Sequence, residues 1–220
     1  MPLPNGVSPT GIIEPIGLSA TWMGNRGEIH DHNGEIVRQF KTKSWVTCRL
    51  SYKGWSRKPL MQPGRYTELF FLDEATALSA GHRPFAMCRN AEYASFKTRW
   101  LRANGFAPGT AVTDIDKAMH EERMGRSGSD AWQQSPRSLP SGVVIVFNET
   151  SCLWSGGRLF QWTNTGYVRN VLPCGDSASV RLLTPPSVVN AIRDGYRVQV
   201  HPALMSSSRK TSPSPYDRLP

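Results

Sequence analysis

The hydrophobic period of this chain changes from helical to extended beyond its middle, and that change limits the folds open to it. Between Asp73 and Met124 apolar residues recur at the three- and four-residue spacing of helices, whereas from Val143 onward they fall in short extended runs. Helices gathered in one stretch and strands in others predict an α+β fold with antiparallel sheet, not alternating βαβ units. Asp73 reads as the N-cap of a short helix over 74–80 that Gly81 closes. Asn90 and Gly105 bracket a longer helix over 91–104, with Ala94, Phe96, Trp100 and Leu101 as its apolar stripe. A third helix runs over 114–124, with Ile115, Ala118 and Met119 inward.

Extended segments flank these helices. Residues 28–31 and 35–38 frame His32-Asn33-Gly34 as a hairpin, since Asn-Gly supplies the positive φ of a tight turn. Residues 44–52 and 66–72 read as strands, and 143–147, 151–154 and 158–162 as a meander. A strand over 180–183 precedes a helix that Pro186 starts and Gly195 ends. These elements divide the chain into an α+β region over 1–125, a Ser/Gly/Gln/Pro-rich linker or loop over 126–141, and a smaller β-rich unit over 142–205. The two units have room to share one core. The polar tail over 206–220 has too little apolar content to fold.

The 220 residues carry 26 Lys+Arg against 17 Asp+Glu, a net charge of +9. This excess is local. Residues 36–67 contain no Asp or Glu, yet hold Arg38, Lys41, Lys43, Arg49, Lys53, Arg57, Lys58 and Arg65. Phe40, Trp45, Tyr52, Trp55 and Tyr66 are interleaved with them. Cations beside planar rings suit phosphate pairing and base stacking, which makes nucleic acid the expected partner. The same rings also serve as strand core. No apolar run approaches the ~18 residues of a membrane span, and no secretory leader is evident, so no membrane partner and a cytoplasmic location are expected. Four cysteines lie far apart, a pattern expected of reduced thiols.

One segment carries a specific resemblance. Leu69-Phe70-Phe71-Leu72-Asp73-Glu74-Ala75, then Ala80-Gly81-His82-Arg83-Pro84-Phe85-Ala86-Met87-Cys88-Arg89, resembles the zinc-binding N-terminal domain of the Ada methylphosphotriester DNA-repair family. Cys48-Arg49, after Trp45, looks like that family's upstream ligand segment, so the resemblance covers about residues 44–90. It implies four thiolates on zinc, one of which accepts a methyl group from a DNA phosphotriester. Cys48 matches the methyl acceptor and Cys88 the last ligand, while Tyr52 and Phe85 stand at the other two ligand positions. Neither ring replaces a thiolate in a tetrahedral site. The expectation is a degenerate, metal-free core with no cofactor. Zinc would need a divergent site that recruits His82, His30 or His32. The resemblance also places Arg49, Lys53, Arg57, Arg83 and Arg89 toward DNA; Lys58, Arg65 and Trp55 extend this candidate nucleic-acid-binding set.

An enzymatic alternative stands beside it. Asp116 and His120 are four residues apart on the third helix, with Arg123 a turn further on, and a carboxylate so placed can orient an imidazole. The same spacing also describes a surface ion-pair ladder. If His82 and Arg83 join them, His82, Arg83, Asp116 and His120 gather around a cleft that acts on an anionic or phosphorylated substrate; the catalytic candidates are then His120, Asp116 and His82, with Cys48 beside them as the residue matching the methyl acceptor. Convergence of His82 and His120 would favour it. The usual phosphate-loop, dinucleotide and nucleophile-elbow motifs are absent.

Overall fold

The computed structural model describes residues 2–54, 58–125, 132–170 and 179–202. The expected linker, the segment around Trp55 and Arg57, and the tail lie wholly or partly outside them. Two six-stranded sheets form. The first orders β1 (Gly6–Val7), β2 (Ile13–Glu14), β3 (Trp22–Asn25), β4 (Val46–Arg49), β5 (Leu69–Phe71) and β6 (Arg83–Pro84) as β2-β1-β5-β3-β4-β6. The second is built from β7 (Gln133–Gln134), β8 (Val143–Phe147), β9 (Thr150–Ser155), β10 (Arg158–Thr163), β11 (Gly166–Asn170) and β12 (Val180–Leu182), in the order β11-β10-β9-β8-β12-β7. Pairing is antiparallel except for β1 with β5 and β4 with β6. The fold is therefore α+β.

Among the described residues four α-helices complete it: α1 (Glu74–Ser79), α2 (Asn90–Ala103), α3 (Val112–Met124) and α4 (Pro186–Arg193). The Asp73 side chain accepts from the Thr76 backbone N–H at 2.9 Å, the N-cap its sequence position predicts. Every residue of α1 is buried, because the helix lies between the two sheets. Ala77 and Ala80 pack with Phe71 and Trp22 of the first sheet. Leu72 and Ala75 pack with Val144 and Leu153 of the second, and Leu78 joins Phe96, Trp100, Ile115 and Ile145. Helix α1 thus contributes side chains to three separate apolar clusters, on the first sheet and on the second.

Several expectations change. The segment after Gly125 is more than a linker, since β7 pairs with β12 on the edge of the second sheet. The expected hairpin over 28–38 closes with a single bridge, His30 to Ile36, around the Asn33-Gly34 turn. Helix α2 begins without a side-chain cap, and Ala94 on its expected stripe is exposed. Strand β3 escapes a periodicity reading because Gly24 interrupts it. That glycine is required by close approach, as a Cβ there would run into the Val46 carbonyl oxygen on β4.

Cys48 on β4 and Cys88 before α2 are joined by a disulfide, with Cα atoms 5.8 Å apart. This corrects the expectation of reduced thiols at these two positions. Cys152 is free and buried, its thiol pushed up to about 11 by desolvation.

Candidate functional site

Strand β4 leads the acid-free segment out of the first sheet, and its cations point to water. Arg38, Lys41, Lys43, Arg49, Lys53, Lys58 and Arg65 are all exposed. Lys41 pairs with Glu28 at 2.5 Å and Arg49 with Glu92 at 2.9 Å, and Lys53 lies over the Tyr52 ring. Arg57 and Trp55 lie outside the described residues. Trp45 is buried and Phe40 and Tyr52 are half-buried, so Tyr66, 41% exposed, is the most exposed of the segment's described rings.

Arg83 and Arg89 do not join this face. Arg83 donates from Nε and Nη2 to the two carboxylate oxygens of Asp116 at 2.6 and 2.8 Å, both side chains buried. Arg89 is 1% exposed, donates to Glu74 at 2.6 Å and to Thr47 Oγ1 at 2.8 Å, and stacks its guanidinium 4.0 Å from the Trp22 ring. Cations closed into such pairs are structural, and neither can reach a phosphate without breaking them.

Cys48, Cys88, Tyr52 and Phe85 do come together. With Met23 and Phe70 they form one small apolar cluster, and the two rings lie against the disulfide. Among the described residues no group of three or more His, Cys, Asp or Glu side chains is placed to hold a metal. His30 is a satisfied interior residue. The Thr67 hydroxyl accepts from the Ile29 N–H and hydrogen-bonds His30 Nδ1 at 2.6 Å, while the Gln62 carbonyl lies 3.3 Å from His30 Nε2. His32, two residues on, is exposed.

The catalytic candidates are rearranged. Asp116 is committed to Arg83, so the pair is neither a surface ladder nor a support for His120. The His120 ring packs edge-on to Phe40 at 4.7 Å and to Trp45 at 6.3 Å, and the fully buried His82 packs on Trp45 at 5.2 Å. The two histidines thus meet around one indole. Two arginines complete the cluster: Arg26 and Arg123 set their guanidiniums 4.0 and 4.1 Å from the Trp45 ring. Arg26 Nε donates to His82 Nε2 at 3.2 Å, and Arg123 Nη2 donates to His120 Nδ1 at 3.3 Å. An arginine can only donate, so both acceptor nitrogens are unprotonated. Gly81 makes room for this arrangement. Its φ of 84° is left-handed, a Cβ would collide with Arg123 Cδ, and its carbonyl accepts from Arg123 Nη1 at 2.6 Å.

Burial, then the charges of Arg26 and Arg123, hold His82 well below its usual 6.5, outweighing the carbonyls of Ala77 and Ala80. Burial, then Arg123 and Lys43, hold His120 below it too. A depressed folded-state pKa means that, below about pH 6.5, the unfolded chain takes up a proton the folded one refuses. Stability is therefore intact above that pH and falls as acid is added, by at most ~1.4 kcal/mol per pH unit for each group. Urea midpoints measured between pH 8 and 5 should show this decline, and His82→Gln, which keeps an acceptor for Arg26 but cannot titrate, should make it shallower, leaving the His120 share.

Arg26 and the role of Arg123 are not predictable from sequence pattern. Arg26 follows the unrecognised β3, and no local spacing pairs it with Trp45 nineteen residues later. No described helix is long and apolar enough to cross a membrane. A scan of protein-family models, a comparison with curated proteins and a comparison with solved structures each find no match to this chain.

Proposed function

We propose that this protein binds nucleic acid, DNA in the first instance, through its backbone phosphates, using the exposed cations of residues 36–67 on a degenerate, metal-free Ada-like core. One observation carries the proposal: every described cation of the acid-free segment is exposed, so the local charge excess stands at the surface. The surface pairs of Lys41 and Arg49 are no obstacle, because exposed ion pairs are worth well under ~1 kcal/mol and a phosphate can displace them. The contact set is Arg49, Lys53, Lys58 and Arg65, without Arg83 and Arg89. Base stacking is limited to Tyr66 among the described rings, which favours phosphate contacts over base readout.

The Ada-like part of the proposal draws support from the meeting of Cys48, Cys88, Tyr52 and Phe85 in one cluster. Tyr52 and Phe85, at two of the family's four ligand positions, offer no thiolate to zinc. DNA repair or regulation is the setting that the resemblance implies.

The test is fluorescence anisotropy of a labelled duplex across a salt series. Three to five phosphate contacts predict that log K falls with log salt at a slope of about −3 to −4.5. Absence of binding, or affinity indifferent to salt, would overturn the proposal. The enzymatic alternative keeps one favourable observation, the meeting of His82 and His120 at Trp45. With Asp116 bound to Arg83, its carboxylate is not available to orient either ring.

A further inference from the structure

A cavity of about 520 Å³ opens beside the Trp45 cluster. Three arginines line it, Arg26, Arg38 and Arg123, and among the described residues no acidic side chain does. The remaining wall is largely apolar, and three of its members, Ile12, Val37 and Met124, are more than half exposed. We propose that this cavity binds an amphiphilic organic anion, with its head group on Arg26 and its apolar body along the Ile12, Val37 and Met124 rim.

The central observation is the state of Arg26. The side chain is 2% exposed, yet its hydrogen-bond partners are His82 Nε2 and the Gly11 carbonyl, at 3.2 and 3.0 Å, and neither carries a negative charge. Arg83 and Arg89, buried to the same degree, each hold a carboxylate oxygen at 2.6 Å. A buried cation without a counter-ion is costly, and here a second guanidinium beside the same indole adds repulsion. Burial and the Arg123 charge accordingly pull the Arg26 guanidinium down to about 9. An anion entering the cavity would supply the missing counter-charge where solvent screening is weak, and a guanidinium is shaped to receive a carboxylate or phosphate.

The rim decides what is attached to that anion. Inorganic phosphate or a bare carboxylate would leave Ile12, Val37 and Met124 in water, whereas a chain or ring behind the head group would cover them. The volume is in the range of ordinary small-molecule sites. This site differs from the phosphate contact set of Arg49, Lys53, Lys58 and Arg65 proposed above, none of which lines the cavity.

Isothermal titration of the full chain with octanoate tests the assignment, with octan-1-ol and acetate separating body from head. The expected result is saturable one-to-one binding of octanoate, with both controls weaker by tenfold or more. Val37→Glu sets a carboxylate at the mouth on a side chain that is 53% exposed, so the fold should tolerate it, and octanoate affinity should fall at least tenfold. Arg26→Gln should abolish octanoate binding where the variant remains folded. Equal affinity for octan-1-ol and octanoate, no saturable octanoate binding, or an unchanged affinity in Val37→Glu would each overturn the proposal.

Discussion

Glu74→Ala should lower the unfolding free energy by roughly 3–5 kcal/mol, the usual penalty for stranding one partner of a buried ion pair. Glu74 is fully buried at the start of α1, and three groups converge on its carboxylate. Arg89 Nη2 and the Tyr196 hydroxyl donate to Oε1 at 2.6 and 2.5 Å, and the Gln199 N–H donates to Oε2 at 2.8 Å. The neighbouring Asp73 binds the same C-terminal segment through the His201 N–H at 3.0 Å, and β11 through the Tyr167 hydroxyl at 2.9 Å. The first turn of α1 therefore fastens residues 196–201 across the interior. Chemical denaturation monitors the loss, and combining Glu74→Ala with Arg89→Met should recover part of it, because the second change removes the stranded charge. A loss below ~1 kcal/mol would mean that this network is not what joins the two units.

Asp116→Asn is expected to cost about 3 kcal/mol for the same reason, since Arg83 would keep its burial and lose its bidentate counter-ion. The second half of this prediction separates structure from catalysis. Among the described residues no hydrogen bond joins Asp116 to His120, so the His120 titration followed by NMR should stay where it is in the variant. A shift in that titration would show a carboxylate acting on the imidazole.

The sequence showed most clearly what its local chemistry determines. Asp73 caps α1, and Gly81, Gly105 and Gly195 end helices in left-handed conformations, because these devices operate within one turn of chain. Strands β8, β9 and β10 follow from their own hydrophobic runs. By contrast, β3 is four residues long with a glycine inside it, and β6 is two residues long and joins the sheet by parallel pairing to β4. Neither carries a period of its own.

Charge was the least legible feature. Arg83 and Arg89 stand beside the basic segment and read as surface cations, but their partners, Asp116 and Glu74, lie 33 and 15 residues away. Arg26 reaches His82 across 56 residues. Whether an arginine is a ligand contact, a structural ion pair or a buried unpaired cation depends on what the fold brings beside it, and spacing along the chain does not carry that information.

The exposed strip is the centre of the functional account, and charge removal there is its most direct test. Anisotropy of a labelled duplex across the same salt series should be compared for the wild type, for a Lys53→Gln/Lys58→Gln/Arg65→Gln triple variant, and for a control with Arg102→Gln/Arg158→Gln on exposed positions elsewhere. Removing one cation that pairs with a phosphate should reduce the salt slope by about 1, so the triple variant should bind duplexes of any sequence far more weakly and with a slope about 3 shallower. The control should stay near the wild type. A triple variant that binds as the wild type does, or a control that weakens as much, would contradict a nucleic-acid interface at residues 36–67.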